Sequence, residues 1–251
     1  MVSFSKLQRI NHMEFIMTCD DVMAELKKLG SEQTKKTLLR HGAAEPLFGV
    51  KIGDMKGILK RVRNDNALAL ELYATGNYDA MYLAGLVADP KTMTKASIQK
   101  WATGATSHAL CCYTVPWVAA ESPFGWDLAA AWIDSPKEPI ASAGWAVYSG
   151  LVALVPDDEL DLTLLEKLLA RVKAKIATAP NRVRYQMNAF IISVGGYVAP
   201  LTAKAKAAAK AIGTVEVDVG DTDCKVPDAV PYIEKMEARG TPGTKRKTVR
   251  C

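Results

Sequence analysis

Apolar residues recur at spacings of three and four along nearly the whole chain, and period-two alternation is almost absent, so helices dominate the reading. Thr18-Cys19-Asp20-Asp21 offers N-cap chemistry for a helix that stops at Gly30, and Ser31 opens another that runs to about His41-Gly42. Pro46, Gly49 and Gly53 interrupt any period between Glu45 and Asp54, which therefore reads as a loop. Helices are then predicted at about 55–63, 65–75, 78–88, 94–102, 106–116, 125–134, 138–154, 161–177, 181–194 and 198–212. Only Thr214 to Val219 alternates, and Gly220-Asp221 closes that run, so it reads as a short edge strand or an extended connector. About a dozen helices joined by short loops, in pairs ~40 residues apart, predict an all-α fold: a right-handed α-solenoid of stacked antiparallel helix pairs.

The centre of this pattern is Trp101 to Trp117, W-A-T-G-A-T-S-H-A-L-C-C-Y-T-V-P-W. At 100° per residue Leu110, Tyr113 and Trp117 share one stripe, predicted to be the packed back of a helix. His108, Cys112 and Val115 fall on the opposite side, and Pro116 is expected to end or kink the helix because it lacks an amide hydrogen. His108 and Cys112 stand one turn apart, close enough to pair. An imidazole there can activate the thiol or act as a general base; the plainer alternative is a thiol that fills space beside a polar histidine. His108, Cys111 and Cys112 are too close in sequence for ordinary zinc spacing, so no metal is expected.

Composition sharpens the class. Alanine, leucine and lysine are abundant, and no apolar run reaches the ~18 residues of a membrane helix. The first residues lack a signal-peptide core, and five irregularly spaced cysteines suit a reducing compartment. A cytoplasmic protein without a membrane partner, and a monomer, is expected. The net charge of +5 is unevenly placed: residues 239–251 hold Arg239, Lys245, Arg246, Lys247 and Arg250 and no acid. Residues 35–63 hold eight basic residues against Glu45 and Asp54, and 171–210 hold eight and no acid. The intervening 79–166 carry eleven acids against four lysines. Two basic segments and a basic tail suit a polyanion, if they are more than solvated helix faces.

Several stretches resemble a known family. Leu47-Phe-Gly-Val-Lys-Ile-Gly-Asp-Met-Lys56, Asp127-Leu-Ala-Ala-Ala-Trp-Ile-Asp-Ser-Pro136 and Ala143-Gly-Trp-Ala146 resemble segments of the DNA alkylation repair enzymes, the HEAT-like alkylpurine DNA glycosylases. Val183 to Gly195 and Val217 to Asp228 are similar to a divergent branch with an extended C-terminus. The resemblance covers roughly residues 13–240. It implies HEAT-like repeats over 13–238, with 1–12 as an N-terminal extension and 239–251 as a flexible basic tail. It also implies a concave basic face that grips duplex DNA, alkylated or not, and an N-glycosylase that removes N3- and N7-alkylpurines without a cofactor. Such an enzyme needs a carboxylate beside the sugar where oxocarbenium charge develops.

The chain departs from the family pattern at that point. The family run S-W-D-L-x-D matches Ser107-His-Ala-Leu-Cys-Cys112, so His108 stands at the cradle tryptophan and Cys112 at the catalytic aspartate. Ala141-Ser142 stand where an arginine is usual. His108 and Cys112 are therefore the candidate catalytic pair of a non-standard site, and whether the chain is an enzyme is left open. The alternatives are a catalytically inactive DNA-binding module and a protein-interaction scaffold. The candidate DNA contacts are Lys51, Lys56, Lys60 and Arg63 around the first loop, and Arg182 and Arg184 at a helix start. Tyr185, Asn188 and Phe190 join them, although Phe190 also shares a core stripe with Val183, Met187 and Val194.

Overall fold

The computed structural model describes residues 17–250; the expected extension 1–12 lies outside them. Thirteen α-helices follow in order: α1 (Cys19–Leu29), α2 (Glu32–Arg40), α3 (Lys56–Val62), α4 (Asn66–Ala74), α5 (Tyr78–Val87), α6 (Lys95–Gly104), α7 (Val115–Glu121), α8 (Gly125–Trp132), α9 (Glu138–Leu154), α10 (Leu162–Lys175), α11 (Asn181–Tyr197), α12 (Thr202–Ile212) and α13 (Ala229–Ala238). No strand occurs among the described residues, and Thr214 to Val219 is an extended connector. The helices stack in pairs, as the spacing predicted. An inner row of α5, α7, α9, α11 and α13 packs neighbour on neighbour, while α4, α8 and α12 lie against it from behind.

Capping accounts for the sharp helix starts. Thr18 and Asp21 form a reciprocal capping box on α1, and Ser31, Asp65, Asn77, Thr94 and Asp161 cap α2, α4, α5, α6 and α10 with their side chains. The inner row is buried almost all round. Trp145 of α9 lies 5.3 Å from the ring of Phe190 on α11, and both are fully buried. Tyr73 of α4 stacks on Trp101 of α6 at 4.3 Å and donates to its carbonyl oxygen at 2.8 Å. Close approach is set by small residues: a Cβ on Gly85 of α5 would lie 2.5 Å from Thr114, and one on Gly195 of α11 would lie 2.6 Å from Ile233 of α13.

Asp79 fixes the first loop. Its fully buried carboxylate accepts the amides of Phe48 (2.6 Å), Gly49 (3.1 Å) and Val50 (2.9 Å). One carboxylate thus holds the turn that presents Lys51 and leads into α3, while Gly49 accepts from the Ser31 amide at the α1–α2 junction.

Three expectations are corrected. The helix around Cys112 does not stop at Pro116. A π-helical segment, Leu110–Thr114, precedes α7, and the helical path continues to Glu121. The Val115 amide reaches the Leu110 carbonyl five residues back, and Pro116 then sits in the first turn of α7, where its missing N–H costs least. The second correction is α13, which lies beyond the last predicted helix and carries Pro231 in its first turn.

The third concerns the tail, which is bound rather than loose. Lys245 donates to the carbonyls of Val152 (2.9 Å) and Tyr197 (2.8 Å), at the ends of α9 and α11, and pairs with Asp157 at 2.7 Å. Arg250 donates to the carbonyls of Leu86 (3.3 Å) and Ala88 (2.9 Å) at the end of α5, and pairs with Glu121 at 3.0 Å. Glu121 also accepts the Val249 amide and the Thr248 hydroxyl. Helix C-termini leave carbonyls without partners and carry partial negative charge, so cations that cross a row of them satisfy both demands.

Two stability changes follow. Asp79→Ala leaves three amides of the first loop without an acceptor and is expected to cost about 3 kcal/mol in a denaturant titration. Glu121→Ala releases the end of the strap and leaves Arg250 short of its partner; a loss of ~2 kcal/mol is expected, with faster proteolysis after residue 240.

Candidate functional site

The π-helical segment determines which side chains face outward. One extra residue in the turn rotates the chain that follows, so the stripe expected from a regular helix is broken. Leu110 and Trp117 are buried as predicted, but Tyr113 between them is 39% exposed. Cys111 and Cys112 are both buried, at 5% and 3% exposure, with their sulfurs 3.6 Å apart. His108 is half-buried; its Nδ1 is shut off from solvent and has no hydrogen-bond partner.

The two thiols are hydrogen-bonded to each other. The hydrogen bond from Cys112 holds Cys111 well below the ordinary thiol range, to about 6, against the opposing effect of burial, and His108 helps. Burial pushes Cys112 the other way, with the charge of Cys111 adding to it, while Gln186 and Arg182 oppose. Of the two, Cys111 is thus the more acidic thiol and Cys112 the less, and the Cys111 sulfur also lies 3.4 Å from the His108 carbonyl oxygen. With His108 the two sulfurs lie within 4.8 Å, a donor set that suits a soft cation. The expectation of no metal rested on closeness in sequence, and the π turn makes that closeness a convergence. The thiol pair already satisfies itself by its mutual hydrogen bond.

Around the thiols stands an aromatic group. The ring of His108 meets Tyr113 edge-on at 5.9 Å and Tyr185 of α11 at 6.0 Å. The two tyrosine hydroxyls are hydrogen-bonded to each other, and burial raises both. Arg182 acts electrostatically on this group, and its backbone amide donates to Glu138 at 2.6 Å. Neither Arg182 nor Arg184 has an ion-pair partner among the described residues, and the Nε of Arg184 is shielded without a hydrogen bond.

Of the other expected contacts, Lys51, Lys56, Lys60 and Arg63 are exposed on the first loop and α3, which packs on α5. Phe190 is fully buried between Trp145 and Tyr148, so the core stripe prevails and it cannot touch a ligand. Asn188 is 2% exposed and donates to the Pro227 carbonyl at 2.8 Å, so it anchors the connector. The basic run 171–210 does not face one groove. Arg171 pairs with Asp134, Lys204 with Glu166 and Lys206 with Glu234 and Glu237, all structural partners. Tyr113, Cys111 and Gln186 were missed. An aromatic beside a Cys-Cys-Tyr run was the available signal, but regular helical spacing assigned Tyr113 to the packed side.

Comparison with known proteins agrees with this architecture. The family model described as DNA alkylation repair enzyme matches residues 22–210. Uncharacterized proteins of Listeria monocytogenes and Listeria innocua are each 35% identical over 229 residues, covering 89% of this chain and 99% of theirs. A solved structure, described as a new family of proteins related to the HEAT-like repeat DNA glycosylases with affinity for branched DNA structures, is 41% identical. It superposes with a TM-score of 0.86 and covers 94% of this chain and all of its own.

The hydrogen bond between the thiols has a measurable consequence. Because Cys111 is depressed in the folded state, its contribution to stability is present above the unfolded thiol value and is lost as pH falls through about 6. The stability difference between the parent and Cys111→Ser should therefore grow as pH rises from 6 toward 9. Thiolate ultraviolet absorbance should titrate near 6 in the parent and move upward in Cys112→Ala, which removes the donor.

Proposed function

The chain belongs to the DNA alkylation repair enzyme family, and from that premise we propose that it binds branched DNA on its inner face without excising alkylpurines. The observation that carries the second half is the state of the central pair. Excision of a cationic base leaves positive charge on the sugar, and the family meets it with a carboxylate. Here that position is Cys112, a buried protonated thiol. The neighbouring Cys111 is only 5% exposed and its sulfur packs on that of Cys112, which keeps it from any sugar on the surface.

Support for DNA comes from what remains free. Lys51, Lys56, Lys60, Arg63, Arg182 and Arg184 have no acidic partner among the described residues, whereas Lys204, Lys206, Lys245 and Arg250 are occupied. Free cations bind phosphates irrespective of sequence. The exposed Tyr113, with His108 and Tyr185 beside it, offers ring faces and edges to bases that are not locked in a duplex. The related structure's stated affinity for branched DNA agrees with such a surface.

Fluorescence anisotropy with a three-way junction and an unbranched duplex of equal length tests the reading, alongside release of 7-methylguanine. Tighter junction binding, with no release above background, is expected. Replacing Lys56, Lys60 and Arg182 by Gln should weaken both substrates and flatten the salt slope by about 1 per lost phosphate contact. Base release that disappears in Cys112→Ala would overturn the non-catalytic half. Absence of DNA binding at low salt would leave the interaction-scaffold reading in its place.

A further inference from the structure

Beyond the central aromatic group lies a cavity of about 400 Å³ between α11 and α13. Its α11 wall starts at Tyr185, the same residue that meets His108, and continues through Asn188 to Tyr197. Its α13 wall presents Tyr232, Lys235 and Arg239, at positions i, i+3 and i+7. The volume falls within the range of small-ligand sites, and no carboxylate lines it.

The charges of α13 are sorted by direction. Glu234 and Glu237 turn toward Lys206 of α12, at 3.6 and 2.7 Å. Lys235 and Arg239 line the cavity and have no ion pair among the described residues. Tyr232 is 47% exposed, a large aromatic face without a packing role. Fixed geometry also favours a site. Asn188 ties the floor to Pro227 ahead of α13, and Gly195 and Gly196 let Ile233 and Met236 close onto α11.

We propose that this cavity is a subsite for one unpaired nucleotide of a DNA branch, with its base against Tyr232 and Tyr185 and its phosphate on Lys235 and Arg239. The inference rests on the DNA-binding reading above and extends it by naming the part of the substrate that a continuous duplex does not offer. Aromatic rings stack on any base, so the subsite selects an unstacked nucleotide and not a sequence. The two cations share one helical face and can meet one phosphate without displacing an acid.

The test uses the full chain and a three-way junction with 2-aminopurine unpaired at the branch, a matched duplex and a short single-stranded oligonucleotide carrying the same probe. Tyr232→Ala and Lys235→Gln/Arg239→Gln change exposed residues, so thermal melting should match the parent. Junction affinity is expected to fall about 5- to 50-fold in Tyr232→Ala, while duplex affinity changes less than twofold. The double Gln variant should lose junction affinity and flatten its salt slope by about 1. Quenching of 2-aminopurine on binding should be lost in Tyr232→Ala. Equal loss on junction and duplex, or unchanged junction affinity in both variants, overturns the subsite. If the parent does not prefer the junction but the oligonucleotide still binds with Tyr232-dependent quenching, the branch preference fails and the subsite stands. If the parent does not quench the probe in either molecule, the subsite fails whatever the junction affinity.

Discussion

The central face of the inner row depends on one hydrogen bond that is one residue too long. The Val115 amide bonds to the Leu110 carbonyl, and the turn between them holds an extra residue. That extra residue exposes Tyr113, brings two sulfurs to 3.6 Å and lets a proline enter α7 without breaking the helical path. A π turn is less favourable than an α turn and persists where its surroundings hold it. Here Thr114 is wedged against Gly85 of α5, and Leu110 and Val115 are fully buried. The packing of the inner row therefore determines the chemistry that the face can display.

The same row explains why total charge is a poor guide to this surface. Parallel inner helices end at a common rim, where unpaired carbonyls gather. The tail supplies Lys245 and Arg250 to that rim, with Asp157 and Glu121 as counter-charges. Its cations are thus partly spent on structure, and Lys204 and Lys206 of α12 are likewise held by Glu166, Glu234 and Glu237. The charge left for a polyanion is a smaller set that includes cations on α3, at the start of α11 and on α13. Counting basic residues along the chain overstates the set because ion pairs form between segments far apart in sequence.

Much of the fold was legible, because caps and 3.6-residue periodicity are local properties. The helices from α1 to α6 and from α8 to α12 follow from Thr18, Ser31, Asp65, Asn77, Thr94 and Asp161 and from apolar spacing. One helix error comes from a proline read as a stop when it occupied a first turn, Pro116 in α7; the other is α13, for which no helix was expected. The site was less legible. His108 and Cys112 do lie together, but a regular-helix projection cannot show that Cys111 is the more acidic thiol or that Tyr113 faces out. Phe190 illustrates the opposite case: its spacing with Val183, Met187 and Val194 placed it in the core, and packing against Trp145 agrees. The tail could not have been read as a strap, because its partners, Glu121, Asp157 and the ends of α5, α9 and α11, are remote in sequence.

A preference for branches cannot come from the cations. Phosphates line a duplex and a junction alike, so lysine and arginine contacts raise affinity for both and are screened by salt for both. A duplex conceals the faces of its bases by stacking, whereas a branch point leaves some of them open. Groups that meet an open base face can separate the two, and the rings proposed for that role here are those of Tyr113, His108, Tyr185 and Tyr232. Three of them are tyrosine, which stacks without adding charge, so discrimination through them should survive at salt concentrations that weaken the phosphate contacts. Substituting a buried thiol for the family's carboxylate is consistent with this division of labour. Position 112 is buried, so an aspartate there would need a cation or several donors to hold its charge, and the proposed non-catalytic binder has no sugar cation to stabilise with it.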